Sequence, residues 1–113
     1  MQIHINSGRN VALHAKLSNF VETELHRVLH RFDHQLTRVE VHLSDDNGPK
    51  AGPQDKRCML EARPRGLQPL VVTGTASELQ QSISGAAEKM KRLLEATFGR
   101  LADRRFEAPQ PSL

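Results

Sequence analysis

The sequence predicts an α+β domain with the element order βαβββα, in which two helices pack on one face of a four-stranded mixed sheet. Three observations predict it: an alternating apolar segment opens the chain, two long segments carry apolar residues at helical spacing, and three short alternating segments lie between them. At 113 residues the chain is long enough for one domain with a modest core. We expect the domain to span residues 1–106 and residues 107–113 to form a disordered tail.

The first two elements are a strand and a long helix. Ile3 and Ile5 alternate with polar residues in the segment 1–7, which is typical of a half-buried strand. The first helix is predicted from Ala12 to Phe32, because apolar residues recur there at three- and four-residue intervals. These residues are Leu13, Leu17, Phe20, Val21, Leu25, Val28, Leu29 and Phe32.

Three strands are predicted next, over Leu36–Ser44, Lys56–Arg63 and Leu70–Thr75. In the first two of these strands every second side chain is apolar and is expected to point into the core. These side chains are Val39, Val41, Leu43, Cys58, Leu60 and Ala62. The segment from Asp45 to Asp55 holds two glycines and two prolines and is too long for a tight hairpin. We interpret it as a loop with a mobile tip.

The second helix is predicted to follow Ser77, which forms a capping-box pattern with Gln80. Its apolar positions are Leu79, Ile83, Ala86, Ala87, Met90, Leu94 and Leu101. Gly85 lies inside this helix, where glycine costs about 1 kcal/mol relative to alanine. We therefore expect Gly85 to pack closely against a neighbouring element.

The order of the elements restricts the topology. The first helix connects the first and second strands, so these strands should be parallel with a right-handed crossover. The last three strands should form an antiparallel meander. Because each strand has one apolar face, both helices should cover the same face of the sheet, and the other face should be polar and open.

Composition and charge limit the classes of function. Sixteen Lys and Arg against thirteen Asp and Glu give a net charge of +3, which allows a polyanionic partner without requiring one. The single cysteine cannot form an internal disulfide. The first residues contain no apolar signal region, and no segment approaches 18 apolar residues. We expect a cytoplasmic protein with no membrane partner.

The search for catalytic or metal-binding residues favours a non-enzyme. His26 and His30 lie four residues apart on one helix face, but the motif HRVLH lacks the glutamate of a zinc protease, so solvated surface histidines are the better interpretation. Cys58 is expected to be a buried hydrophobic residue rather than a nucleophile. We expect no cofactor, no metal and no small-molecule substrate.

The cations of the two predicted helices avoid the apolar positions and indicate a candidate RNA-binding surface. Two helices on one sheet face would bring such cations to the rims of a shared groove. The candidate residues are Lys16, Arg27, Arg31, Lys89, Lys91, Arg92 and Arg100. An ordinary solvated surface is the alternative, because glutamates are interleaved with these cations and could pair with them. They are Glu22, Glu24, Glu88 and Glu95.

The aromatic residues limit the kind of RNA contact. The chain has four Phe, no Tyr and no Trp, and the predicted strands carry none of them. A sheet without aromatic residues lacks the surface on which single-stranded RNA modules stack bases. Any RNA should therefore be bound through its phosphates and shape, by the helices.

Several segments, in this order, resemble the ribosome hibernation-promoting factor family, also called ribosome-associated inhibitor A or the S30AE domain. The resemblance covers roughly residues 1–101. It depends on RFDH (31–34), VEVHL (39–43) and the segment from Ala76 to Leu94. Lys89 and Arg92 match the lysine and arginine of the family's second helix, whereas Ser84 replaces its aspartate and Gln80 its tyrosine.

The resemblance implies a protein that binds the decoding channel of the small ribosomal subunit and silences translation in stressed or stationary cells. It implies rRNA contacts at Lys89 and Arg92 and, more loosely, at Arg27 and Arg31. We expect the protein to be monomeric off the ribosome. Two alternatives remain: a general double-stranded RNA-binding module, or a regulator that binds proteins through the open sheet face. That face would present His4, Arg38, His42, Met59 and Arg63.

Overall fold

The computed structural model describes residues 1–8, 10–46 and 55–106, with side chains as far as Asp103. The elements are β1 (Gln2–Ser7), α1 (Ala15–Leu29), a 3-10 helix (His30–Phe32), β2 (Leu36–Asp45), β3 (Lys56–Pro64), β4 (Leu70–Ala76) and α2 (Leu79–Phe106). This order confirms the predicted βαβββα fold. The predicted loop tip and the predicted tail both lie outside the described residues.

The four strands form one mixed sheet in the order β1-β2-β3-β4. β1 pairs with β2 in parallel, with Ile3 opposite Val39 and Ile5 opposite Val41. The pairs β2–β3 and β3–β4 are antiparallel. The predicted parallel crossover and antiparallel meander are therefore confirmed.

A single core lies between the sheet and the two helices. It contains the predicted inward residues of β2 and β3, all 0–1% exposed, together with residues from both helices. The helix contributions are Leu17, Val21, Leu25, Val28, Leu29, Ile83, Ala86, Ala87, Met90 and Leu94. The side chains that alternate with them on β2 and β3 remain half-buried or exposed, so the opposite sheet face is open as predicted.

Both ends of the first helix differ from the prediction. α1 begins at Ala15 rather than Ala12, because the extended residue His14 accepts the amide of Leu17 on its Nδ1 at 3.2 Å and so caps the helix. Leu13 consequently lies before the helix and is 42% exposed. At the other end the chain tightens into the 3-10 helix, which buries Phe32.

The second helix also begins later than its capping pattern predicts. The amide of Ser82 donates to the carbonyl of Glu78 at 3.1 Å, so the helical hydrogen bonds begin at Glu78 rather than at Ser77. The Ser82 hydroxyl donates to the carbonyl of Leu79 at 2.6 Å. This bond satisfies a buried hydroxyl where the helix passes over β4.

Close packing between α2 and the sheet depends on Gly74, and the expectation for Gly85 was wrong. A Cβ on Gly74 would collide with the carbonyl oxygen of Ser82 and lie 2.7 Å from the amide nitrogen of Ala86. A Cβ on Gly85 would meet nothing within 4 Å. The reason is geometric: Gly74 faces α2 from β4, whereas Gly85 lies on the side of α2 that faces away from the sheet.

Replacing Gly85 by alanine should therefore stabilise the protein by about 1 kcal/mol, since helix propensity improves and no atom must move. Urea unfolding of wild type and variant measures the change. Gly74→Ala is the matched control and should destabilise. A Gly85→Ala variant less stable than wild type would contradict the open environment of this position.

Candidate nucleic-acid interface

The two helices run parallel and are joined by side-chain contacts along their length. The hydroxyl of Ser84 donates to the carboxylate of Glu24 near the start of the contact. Farther along, Arg31 donates to Glu95 at 2.9 Å. The predicted groove between the helices is thus bridged at two points by polar groups.

The cations along this groove have acidic partners. The guanidinium of Arg27 contacts both carboxylate oxygens of Glu24, at 2.8 and 3.1 Å. This hydrogen bonding lowers the pKa of Glu24 and raises the pKa of Arg27. The nearby charge of Glu88 also raises the pKa of Arg27. Arg27 therefore pairs with a glutamate three residues before it on α1, and Arg31 with a glutamate on α2, rather than with partners four residues away on the same helix.

Lys91 is the third candidate cation beside the groove. It lies three residues after Glu88 and four before Glu95, so the three side chains share one side of α2. Three glutamates therefore accompany the three groove cations. The groove has little net charge, and its exposed pairs contribute little to stability.

A second group of cations lies on the solvent side of α2, turned away from α1. Lys89, Arg92 and Arg100 follow one another at spacings of three and eight residues, and all three are exposed. Two small residues lie on the same side of the helix, Gly85 before Lys89 and Ala96 between Arg92 and Arg100. Among the described residues, no carboxylate lies within 4 Å of these three cations. We call them the α2 cationic stripe.

Lys89 is held in place by the sheet. Its Nζ donates to the carbonyl of Thr73 at 2.7 Å, on the edge strand β4. An edge strand leaves backbone carbonyls unpaired, so this bond covers one of them and fixes the lysine at the border of helix and sheet. The bond to a neutral carbonyl leaves the positive charge of Lys89 uncompensated.

Lys16 lies apart from both groups. It lines a cleft at the N-terminal ends of the two helices, together with Asp45, Lys56 and Glu78. The seven predicted residues therefore form three groups: the groove cations, the α2 cationic stripe, and Lys16.

The charges of the open sheet face are largely paired with one another. Arg63 contacts Glu61 at 2.9 Å and Arg38 contacts Glu40 at 3.4 Å, each along its own strand. Like charges face each other between the strands, Arg38 opposite Arg63 and Glu40 opposite Glu61. Opposite charges along each strand offset this cross-strand repulsion. His42 Nε2 lies 3.7 Å from Glu40 and adds to the same cluster.

The structure gives no support to catalytic chemistry at the cysteine. Cys58 is fully buried, and this burial raises its pKa to about 12, so the thiol is protonated and inaccessible at neutral pH. Within the described ranges, no group of three or more His, Cys, Asp or Glu side chains is placed to hold a metal ion. In the same part of the chain, neither helix is long and apolar enough to cross a membrane.

Sequence reasoning overlooked two residues near the far end of α2. Phe98 is half-buried and stacks on Phe32, with ring centroids 5.8 Å apart and an angle of 22° between the planes. Arg65 lies in the turn between β3 and β4 and borders a cleft with Phe98. The four-residue spacing of Phe98 from Leu94 places Phe98 near the apolar side of α2, but no local pattern brings Arg65 beside it.

Comparison with known proteins identifies the fold and the family. The structure resembles a ribosomal subunit interface protein from Coxiella burnetii (TM-score 0.73, 14% identity), over 88% of this chain and 99% of that chain. It also resembles the N-terminal domain of Thermus thermophilus Protein Y (TM-score 0.68, 23% identity), over 86% of this chain and 99% of that one. No curated protein sequence matches the chain significantly.

The family comparison covers nearly the whole described domain. Residues 4–102 match the family model described as sigma 54 modulation protein / S30EA ribosomal protein. The match includes α1, and α2 as far as Ala102, and with them all seven predicted contact residues. The chain therefore belongs to the ribosomal S30AE family.

Proposed function

We propose that this protein binds the small ribosomal subunit and inhibits translation by occupying the mRNA and tRNA sites of the decoding channel during stress or stationary phase. In this role it acts by occupancy, without catalysis, in the cytoplasm. Membership of the S30AE family supports association with ribosomes. The two structural neighbours, one of them a ribosomal subunit interface protein, have the same fold.

The observation that carries the proposal is the α2 cationic stripe. A phosphate backbone attracts cations whose charge is not already neutralised, and Lys89, Arg92 and Arg100 satisfy this condition. The small residues Gly85, one turn before Lys89, and Ala96, between Arg92 and Arg100, leave room for a polynucleotide backbone to approach the helix. Arg92 and Arg100 also present planar guanidinium groups, which suit bidentate contact with phosphate.

The groove cations have a secondary place in this proposal. Arg27 and Arg31 must loosen their contacts with Glu24 and Glu95 before they can bind phosphate fully. Their net gain on binding RNA is therefore smaller than that of the stripe. The family resemblance likewise ranks Lys89 and Arg92 above Arg27 and Arg31, whereas the charge pattern alone treats the cations of both helices alike.

Co-sedimentation tests the choice of partner. Purified protein is centrifuged with small subunits, with large subunits and, separately, in the presence of a free RNA duplex. We expect saturable binding to small subunits at concentrations that leave large subunits and the free duplex unbound. Equal affinity for the free duplex would favour the general double-stranded RNA-binding module instead.

A titration across salt concentration tests which surface binds. Three phosphates neutralised by the stripe should give a slope of log affinity against log salt of about −2 to −3, at about 0.7–0.9 per phosphate. Removing Arg92 or Lys89 by substitution with alanine should flatten the slope by about one unit, and Arg27→Ala by less.

The matched controls for this titration lie on the open sheet face. Met59→Ala and His42→Ala should leave both affinity and slope nearly unchanged. The protein-binding alternative makes the opposite prediction: a shallow slope, strong effects at Met59 and His42, and none at Lys89. The stripe would be excluded as the binding surface by that pattern.

A further inference from the structure

A cleft of about 510 Å³ lies at the far end of the domain, between the turn that follows β3 and the later turns of α2. Its lining residues are His34, Gln35, Arg65, Leu67, Phe98, Leu101 and Ala102. A smaller cleft of about 220 Å³ shares Leu67 and Leu101 with it and adds Thr97 and Arg100. The two form one depression, whose larger part falls in the size range of small-molecule sites, about 300–1,000 Å³.

The floor of this depression is apolar and includes an aromatic ring. Leu67, Phe98 and Leu101 are half-buried, so each exposes part of its apolar surface. The ring of Phe98 is supported from within by its stack on Phe32, which is itself only 4% exposed. A supported ring beside aliphatic side chains is suited to hold another planar group.

The rim of the depression is cationic and pre-organised. The Nε of Arg65 donates to the carbonyl of His34 at 3.1 Å, and its backbone amide donates to the carbonyl of Gln35 at 2.9 Å. These bonds hold the backbone and the Nε of the arginine and do not use its two terminal nitrogens. In the described part of the chain, neither Arg65 nor Arg100 has a carboxylate within 4 Å.

The charge of this depression sets it apart from the cleft at the opposite end of the domain. The described residues that line the depression include two arginines and a histidine but no Asp or Glu. The cleft at the N-terminal ends of the helices, by contrast, contains Asp45 and Glu78. An aromatic floor, apolar walls and a rim whose described charged residues are all cationic complement a ligand that is planar at one end and anionic at the other.

We propose that the depression binds one unpaired nucleotide of an RNA, with its base on Phe98 and its phosphate between Arg65 and Arg100. The inference rests on the proposed function, because it names a feature of the RNA that the domain would contact. Arg100 belongs both to the α2 cationic stripe and to this depression, so a backbone following the stripe leads directly to it. A base held by an aromatic ring adds a contact that phosphate recognition alone does not supply.

The test uses a five-nucleotide single-stranded RNA with 2-aminopurine at its central position. We expect a saturable change in 2-aminopurine fluorescence and shifts of the Phe98 ring and Leu101 methyl signals in NMR spectra. Phe98→Leu, which keeps an apolar side chain, should weaken binding about tenfold, the scale of one base–aromatic stack. The same RNA with an abasic central position should bind wild type about as weakly as the intact RNA binds Phe98→Leu. Removing the base should not weaken binding to Phe98→Leu any further.

Controls separate this site from general attraction of RNA. Arg65→Gln should weaken binding and flatten its salt dependence, whereas Arg57→Gln, an exposed arginine on the open sheet face, should change neither. Arg65→Gln also keeps the test decisive if Phe98→Leu does not fold. The inference is overturned if the abasic RNA binds as tightly as the intact one, or if the shifts map to Arg27 and Arg31 instead.

Small-subunit co-sedimentation of the same variants distinguishes this inference from the proposed function. Phe98→Leu should still sediment with small subunits, because the stripe is intact, but with lower affinity. If wild type does not co-sediment with small subunits but binds the pentanucleotide, the ribosomal function is contradicted and the nucleotide site is supported. If wild type co-sediments normally but the pentanucleotide gives no fluorescence response, the nucleotide site is contradicted and the ribosomal function is supported.

Discussion

Replacing Leu25 by alanine is expected to lower the free energy of unfolding by about 2–5 kcal/mol. Leu25 is fully buried in the core between α1 and the sheet, so its loss removes apolar contacts and leaves a cavity that close-packed neighbours fill only partly. For a domain of this size, such a loss is a large part of the total stability. Urea unfolding followed by circular dichroism measures it.

Leu13 provides the matched control for this substitution. It undergoes the same chemical change in Leu13→Ala, but it is 42% exposed and precedes α1. Its replacement should change the stability by no more than about 0.5 kcal/mol. Similar effects at the two positions would show that the helix boundary and the apolar side of α1 are misplaced.

Reversing the charges of Lys89 and Arg92 together should weaken binding to the small subunit by several kcal/mol. Both side chains are exposed and unpaired with any described carboxylate, so each can make a charge-assisted contact with phosphate. Such contacts are worth about 1.5–3 kcal/mol each. The Lys89→Glu, Arg92→Glu double variant is compared with wild type by co-sedimentation at constant salt.

Two single reversals make this test specific to the surface. Arg92 and Arg57 are both exposed arginines without a carboxylate within 4 Å among the described residues, and they differ in the face that they occupy. Arg92→Glu should lose affinity and Arg57→Glu should retain it. Equal losses would mean that net charge, rather than the stripe, governs binding.

Thermal unfolding shows whether the double variant is still folded, so that weaker binding is not mistaken for a loss of structure. Lys89 makes an exposed hydrogen bond to the carbonyl of Thr73, and Arg92 is exposed and lies outside the buried core. The melting temperature should therefore change little. Retained stability with unchanged co-sedimentation would remove both residues from the proposed interface.

The sequence by itself determined the order of the elements and the inward side of each. Alternation in VEVHL and the three- and four-residue spacing around Leu25 are local properties, because side-chain direction follows directly from position in a strand or helix. The parallel pairing of β1 and β2 was also predictable from the sequence, because the segment that connects them is a helix. The same regularity made the burial of Cys58 predictable.

Helix boundaries were less predictable, because caps depend on individual side chains rather than on periodicity. The imidazole of His14 caps the start of the first helix, so α1 begins three residues later than the apolar spacing indicates. The two glycines illustrate the same limit across elements. The sequence around Gly74 and Gly85 does not indicate whether another backbone lies close to either glycine. The packing of α2 on β4 decides which of them is in close contact.

Only the tertiary structure separated the candidate cations into groups. Spacing gives the angle of a side chain around its own helix axis, but it does not say on which side the neighbouring helix lies. By helical spacing alone Arg31 and Arg92 therefore look equivalent, although Arg31 contacts Glu95 and Arg92 faces solvent. The cleft of Arg65 and Phe98 likewise unites residues 33 positions apart, which meet because the β3–β4 turn folds back under α2. Charge compensation between elements is a property of their packing, and so the fold alone decides which of these cations are neutralised by an acidic partner.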